Sequence, residues 1–441
     1  MPGTTRRTLL LCALVAGTVT CHAELPAFPG AEGFGANTPG GRGGQVCIVT
    51  TLEDYLPGRE DAIPGSLRAA VETKGPRIIV FAVAGLIPLK AGLTISEPYL
   101  TLAGQSAPGA GVCLANYACV VNDTHDVVIR YLRCRPGDVA GKEHDALSVS
   151  GSHDVILDHC SASWGTDETL SVSGAGQDNI TVQWCFITES LNKSVHEKGA
   201  HGYGTLLRTD GHVTFHHNLY AHHWTRCPRP GTYGEEPGLL LDFRNNLIYN
   251  WGGTAGYSAE DPVRMNYIGN YLRPGPSSKD RKHAFSVGGV KTLIYPADNV
   301  VEGVPAADQW ELFNEAKPVN RAAKPFPVAP VHTDPAGALV DLVLADAGAS
   351  LPQRDAVDKR IVSEVRAGGG RIIDSQQEVG AWPAYPLAEA PADRDKDGMP
   401  DAWEESHALD PDNPTDAAGD ADGDGYTNIE EFLNATSPAA S

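Results

Sequence analysis

Short apolar runs recur along the middle of the chain, each rich in Val, Ile, Leu or Thr. They are Val127-Val128-Ile129, Val155-Ile156-Leu157, Ile180-Thr181-Val182, Val213-Thr214-Phe215, Leu239-Leu240-Leu241 and Val263-Arg264-Met265. Runs this short, bounded by Gly, Asn and Asp, predict strands. Each is followed within a few residues by a Cys or an Asn, at Cys134, Cys160, Cys185, Asn218, Asn246 and Asn270, with spacings of 26, 25, 33, 28 and 24 residues. Bundled helices do not repeat in this way; the period is that of a solenoid. One turn of an all-β parallel β-helix per repeat fits, with successive coils about 4.8 Å apart. Like residues then stack, so inward Asn side chains form a ladder that satisfies its own polar groups. Cys134, Cys160 and Cys185 are expected to form a small inward stack of thiols, packed as buried apolar groups or bridged between neighbouring coils. Upstream, Ile78-Ile79-Val80-Phe81, Leu93-Thr94-Ile95 and Leu100-Thr101-Leu102 extend the same solenoid.

The pattern changes after residue 315. Lys317 to Pro330 is rich in Pro and Ala and reads as an extended linker. Ala336 to Ala347 and Asp355 to Arg366 have helical periodicity, and Gly368-Gly369-Gly370 stops the second helix. Residues 316–390 are therefore expected to form a linker and helical extension laid on the solenoid of residues 24–315. A solenoid end needs covering.

Residues 391–441 form a third unit. Asp393, Asp395, Asp397, Asp401 and Glu404 fall at positions 1, 3, 5, 9 and 12 of a loop with Gly398 at position 6. Asp420, Asp422, Asp424, Asn428 and Glu431 repeat the arrangement around Gly425. This is the spacing of a calcium loop of the EF-hand type, where the Gly permits the sharp turn and the last Glu can chelate with both oxygens. A solvated acidic tail would not need the glycines. The unit resembles the dockerin-like and thrombospondin type 3 repeats, which implies a structural or adhesive role.

The chain has 441 residues, 41% of them apolar, and a net charge of −21, which speaks against nucleic acid and against anionic lipid as partners. An acidic substrate stays open, because a metal or a local Arg cluster can invert the field of one cleft. Residues 1–23 read as an export signal: Arg6-Arg7, the apolar stretch Thr8 to Val19, and a small-x-small site at Cys21-His22-Ala23. A secreted monomer is expected. The longest later apolar run, Ile78 to Leu89, holds Gly85 and Pro88 and is too short to span a membrane. Without Cys12 and Cys21, the nine cysteines become seven, an odd number that leaves at least one thiol unpaired within the chain.

Candidate chemistry concentrates between His144 and Gly231. Asp145 and the pair Asp167-Glu168 lie one repeat apart, so on stacked coils they converge, and three carboxylates at one spot call for a cation. Solvated turn acids are the bland alternative. His196, His201, His212, His216, His217, His222 and His223 lack the spacing of a zinc protease and are expected to be mostly structural. Arg226-Cys227-Pro228-Arg229 sets two guanidinium groups about a proline, suited to planar carboxylates; surface arginines are the alternative.

Several of these motifs carry a family resemblance. Phe28-Pro29-Gly30-Ala31-Glu32-Gly33-Phe34-Gly35 with Gly40-Gly41-Arg42-Gly43-Gly44, Leu157-Asp158-His159, and His216-His217-Asn218-Leu219 with Arg226-x-Pro228 together resemble the pectate lyases of polysaccharide lyase family one, over about residues 26 to 300. The resemblance implies a right-handed parallel β-helix, a pectate-like polysaccharide substrate and calcium. It implies that Asp145 and Asp167 bind Ca2+. The family's third acid falls on Ser171, so Glu168 is expected in its place. Arg226 matches the family's Brønsted base. The second motif arginine falls on Gly231, with Arg229 as the replacement for substrate binding. The substrate-binding lysine has no clean match: Tyr203, within His201-Gly202-Tyr203-Gly204, occupies the approximate place, His201 is expected beside it as a substrate-binding residue, and Lys193 or Lys198 can reach in from the adjacent loop. The implied reaction is β-elimination to a 4,5-unsaturated uronide. An arginine, ordinarily charged, is an awkward base, and stabilising the enolate is its alternative role. A β-helix hydrolase, needing carboxylates about 5 to 9.5 Å apart, and a non-catalytic carbohydrate-binding solenoid are the rival readings.

Overall fold

The computed structural model describes residues 25–435; the expected export signal lies outside them. Among the described residues the solenoid strands form a ten-stranded sheet from Gln45–Val49 to Thr292–Ala297, a nine-stranded sheet from Gly85–Pro88 to Val300–Val301, and a six-stranded sheet from Leu93–Ile95 to Arg229–Gly231. Three short strands, Gly256–Tyr257, Phe285–Ser286 and Phe313–Asn314, form a fourth sheet. Each coil visits the sheets in turn and pairs parallel with the next, so the protein is an all-β parallel β-helix. The register is that of the apolar runs: Val127, Val155, Ile180, Val213, Leu241 and Met265 stand in line, all buried.

Two side-chain ladders fix the bend between the first and second sheets. Asn218 Nδ2 donates to Asn246 Oδ1 (2.9 Å), Asn246 to Asn270 (3.1 Å) and Asn270 to Asn299 (3.0 Å), while spare amide protons reach buried carbonyls. Cys185 heads the ladder, its amide donating to Asn218 Oδ1. One position earlier, Tyr131, His159, Trp184 and His217 all have positive φ and stack face to face outside, with centroids 4.8, 5.9 and 4.4 Å apart. The expected thiol stack is shorter than three. The Cys160 amide donates to Cys185 Sγ (3.3 Å), but Cys134 aligns with Ala162, two residues further along its coil. All seven described cysteines are free, so the thiols pack and do not bridge.

Three segments lie on the outside of the coil. The glycine-rich opening segment runs against the first sheet, where Gly35 and Gly41 donate to the outward hydroxyls of Thr181 and Thr101 (2.9 Å each). A Cβ on Gly41 would fall 1.9 Å from the Arg77 carbonyl oxygen, so only glycine permits this approach. The helices form at Leu339–Asp346 and Ala356–Ala367, and they cover the side of the second sheet and not, as expected, an end of the coil. Their apolar faces (Leu339, Val343, Ile361, Val365) bury Phe186, Leu219 and Leu247, which an open coil would leave to water. Buried Arg135 locks the second helix down through Asp355 and Asp358. The acidic C-terminal unit seats Met399, Ala417 and Ile429 on Ile78 and Val80 of the first sheet.

Candidate active site

The chemistry-bearing residues all stand on one edge of the coil, in successive bends between the second and third sheets. Asp145 precedes strand Leu147–Ser150; Asp167 and Glu168 precede Leu170–Ser173; Tyr203 precedes Leu206–Arg208; Arg226 precedes Arg229–Gly231. Leu147 pairs with Leu170, Val172 with Leu207, and Leu206 with Arg229, so parallel register alone stacks four bends into a column. The column is built by pairing residues that lie 23 to 35 positions apart in the chain.

One oxygen each of Asp145, Asp167 and Glu168 lie within 4.8 Å of one another. The Glu168 amide donates to Asp145 Oδ1 (3.0 Å), which ties the two bends together. Glu168 is ion-paired with Arg226, whose guanidinium lies 4.2 Å from the centre of the Tyr203 ring. Arg226 itself sits at φ 63°, so the bend aims its side chain back along the column. Burial, then the charge of Asp167, pushes the Asp145 carboxyl above its ordinary range. Burial, then Asp145, pushes Glu168 up as well, against the pull of Arg226. Burial opposes the charge of Asp167 too, but hydrogen bonding from His201 and the nearness of His196 hold its carboxyl down. The Arg226 guanidinium is pushed up: Glu168, with Tyr257 and Tyr203, outweighs burial. Three hard carboxylates with one arginine among them suit a calcium ion, which takes oxygen ligands.

His201 Nε2 meets Asp167 Oδ1 at 2.8 Å and His196 Nε2 meets it at 3.3 Å, the two rings stacked 3.8 Å apart. Both sit in the long segment between Phe186–Thr188 and Leu206–Arg208, which is the source of the 33-residue spacing in an otherwise shorter repeat. His196 stood among the histidines expected to be structural; the structure makes it a partner of a cluster acid. Arg229 reaches Asp261 (3.1 Å), and Arg226 has Tyr257 as a neighbour; neither partner was singled out in the sequence, because both arrive from the following coil. Lys198 is exposed, and its contact with the site runs through its amide, 3.1 Å from His196 Nδ1. The Lys193 amide is turned away, onto Asp374. Ser171 lies in the column and its hydroxyl accepts from the Leu206 amide at 3.3 Å.

The C-terminal loops gather Asp393, Asp395 and Asp397 at one place and Asp420, Asp422 and Asp424 at another. Two expected ligands go elsewhere. Asp401 accepts from Arg394, backbone and side chain, at 2.9 and 3.1 Å. The Asn428 amide group spans the Asp416 carbonyl and the Ala421 amide. Glu404 does join the first loop, together with Asp416, a residue outside the expected twelve-residue spacing. Glu431 is buried in the helix Asn428–Asn434 that follows the second loop.

Carboxylates and arginines stacked on one edge of a parallel β-helix make a site suited to an acidic ligand, and the fold alone does not fix its chemistry. No profile of a known family matches the chain. It is 35% identical over 437 residues to a probable pectate lyase C of Aspergillus terreus, spanning 95% of this chain and 96% of that one. It is 36% identical over 425 residues to a probable pectate lyase C of Emericella nidulans, spanning 94% and 93%. Among solved structures, the cedar pollen allergen Jun a 1 matches with a TM-score of 0.52 at 20% identity, over 72% of this chain and 92% of that one. The thermostable pectate lyase PL 47 matches with a TM-score of 0.53 at 15% identity, over 72% and 97%. The chain belongs to the pectate lyase family. Among the described residues no helix is long and apolar enough to cross a membrane.

Proposed function

We propose that the protein is a secreted lyase that cleaves pectate, an acidic polygalacturonate, by calcium-assisted β-elimination to give 4,5-unsaturated oligogalacturonides. The observation that carries this reading is the column in which Asp145, Asp167 and Glu168 face Arg226. Relatives named as probable pectate lyases along nearly the whole chain support the substrate class. The export pattern of residues 1–23 supports secretion.

Asp145, Asp167 and Glu168 would hold Ca2+, which when bound draws charge from a uronate carboxylate and so acidifies the proton at C5. His201 and His196 orient Asp167 and keep it ionised. Tyr203 offers an apolar face beside Arg226, a surface on which a sugar ring can lie, and His201 borders it with ring centres 4.1 Å apart. Arg229, a coil edge away, is positioned to take a second uronate, at the expense of Asp261. Lys198, on the exposed loop, can swing toward the chain of a bound polymer.

Arg226 is the residue that acts at C5. As base it would take the C5 proton as the C4–O bond breaks and the glycosidic oxygen leaves. Its pairing with Glu168 works against that role, since a carboxylate in contact keeps a guanidinium protonated. In its alternative role the arginine holds the negative charge that develops on the uronate carboxylate as an enolate, and the C5 proton passes to a water molecule as the C4–O bond breaks.

The direct test is ultraviolet absorbance of the conjugated uronide during incubation with polygalacturonate, with calcium and with chelator. A rise that requires calcium supports the elimination. New reducing ends without absorbance would make the protein a hydrolase, and neither signal across several uronans would leave a carbohydrate-binding solenoid.

A further inference from the structure

We propose that the first C-terminal loop is a built calcium site closed by Asp416, and that the ion held there clamps the module to the first coils of the solenoid. This site is separate from the active-site column. Its ligands come from residues 393–404 and from the segment between the two acidic loops.

The geometry rests on two overlapping sets. Asp393, Asp395 and Asp397 bring oxygens within 4.8 Å of one another, and so do Asp397, Glu404 and Asp416. What marks a site is the fate of those oxygens. Glu404 is 0% exposed, and neither of its carboxylate oxygens has a hydrogen-bond partner. Both oxygens of Asp395, one of Asp397 and one of Asp416 are buried and equally without a donor. Buried polar groups in folded proteins are almost always satisfied, and several unsatisfied carboxylates in contact repel. A cation removes both costs at once. The set contains only oxygen donors, which favours calcium over softer metals.

The remaining oxygens shape the loop. Asp393 accepts from the amides of Lys396 (2.8 Å) and Gly398 (3.1 Å), and Asp397 accepts from Met399 (2.8 Å). Asp401, the ninth residue of the loop, is occupied by Arg394. Asp416 supplies the missing oxygen from outside the motif, and the loop spacing gives no hint of it. In the second loop Asp420 and Asp424 are exposed and accept from the loop's own amides.

The clamp follows from what adjoins the ligands. A Cβ on Gly398 would lie 2.8 Å from Val46 Cγ1 and 3.1 Å from Val80 Cγ2, so the turn of the loop rests on the first sheet. Met399, next in the chain, and Ala417, next to Asp416, belong to the apolar cluster that holds Ile78 and Val80. The ion thus joins the two halves of the face that covers strands Gln45–Val49 and Arg77–Phe81. Without it, repulsion among the five carboxylates pushes Asp416 and Ala417 away from Met399.

The experiment uses the full chain. Hydrogen exchange of Ile78 to Val80 and of Met399 is followed with calcium, with magnesium and with chelator. At calcium about 100-fold above its Kd, protection at both places is expected to rise about 100-fold. Calorimetric titration of Glu404→Gln and of Asp416→Asn is expected to lose one bound calcium relative to the parent chain, with the active-site ion retained. Asp420→Asn is expected to leave the exchange response unchanged. The proposal is overturned if Glu404→Gln and Asp416→Asn bind as many ions as the parent, if magnesium protects as well as calcium, or if calcium protects Met399 but not Ile78 to Val80. The parent chain alone decides the last two outcomes, even if a variant fails to fold.

Discussion

Glu168 and Arg226 form an ion pair between bends two coils apart, with the Tyr203 ring lying against the guanidinium from the coil between. The pair sets two functions against each other. Glu168 can ligate a cation with Asp145 and Asp167, or it can hold Arg226. Glu168→Gln keeps the size and removes the charge. The concentration of calcium for half-maximal activity should rise about tenfold, the order of one lost charge interaction of about 1.4 kcal/mol. The rate at saturating calcium should stay within a few fold. An unchanged calcium requirement with a large fall in rate would assign Glu168 to Arg226 alone.

Arg226 is placed to act on the substrate and contributes little to the core, since it lies at the open edge of the coil. Arg226→Ala should lower kcat by about 10²- to 10³-fold, the size found for removing one group that stabilises a developing oxyanion. Binding of oligogalacturonate, read by calorimetry, should persist. Arg226→Lys restores charge without the planar fork and should recover part of the rate. If binding and turnover vanish together in both variants, Arg226 is a binding residue.

The Asn ladder makes a prediction about stability. Asn246 accepts from the amide and side chain of Asn218 and donates to Asn270 and the Phe215 carbonyl, all of them buried. Asn246→Ala strands several of these groups, each at about 1–3 kcal/mol. A loss of about 3 kcal/mol in denaturant unfolding is expected, well above that for an exposed Asn. A loss below about 1 kcal/mol would mean that water replaces the missing amide.

The ladder was legible because its period is written in one residue type: Asn218, Asn246 and Asn270 mark the same corner of each coil. The carboxylate column was legible for the same reason, as Asp145 and Glu168 stand one coil apart. What lay beyond reading came from outside the period. Cys134 lies within a strand while Cys160 stands at the corner before one, a distinction that spacing alone does not make. His196 and His201 sit in an insertion, where no register fixes their direction. Asp416 closes a loop to which its spacing does not assign it. The helices cover a side of the coil because Phe186, Leu219 and Leu247 leave apolar surface there, and a helix pattern shows which face is apolar but not what it meets.

Stability should depend on pH through the corner histidines, with opposite signs. Burial opposes the charge of His159, but Asp158, 2.8 Å away, and Asp346 outweigh it and raise the imidazole from 6.5 to about 9. Its folded form binds the proton more tightly than the unfolded chain does. That contribution is complete below pH 6.5 and is lost as pH rises toward 9. His217, with Asp334 at 3.1 Å, is lowered by burial to about 4, and fully buried His223 to about 3. Their unfolded forms bind the proton more tightly. Those contributions are complete above pH 6.5 and are lost as pH falls toward 4. Each such group contributes up to about 1.4 kcal/mol per pH unit within its window. Denaturation midpoints should therefore peak near neutrality and fall on both sides, more steeply in acid, where His144 and His216, also lowered by burial, titrate beside His217 and His223. His159→Gln should flatten the alkaline limb and leave the acid limb in place. A midpoint that climbs steadily to pH 9 in the parent chain would show that Asp158 does not hold His159 charged.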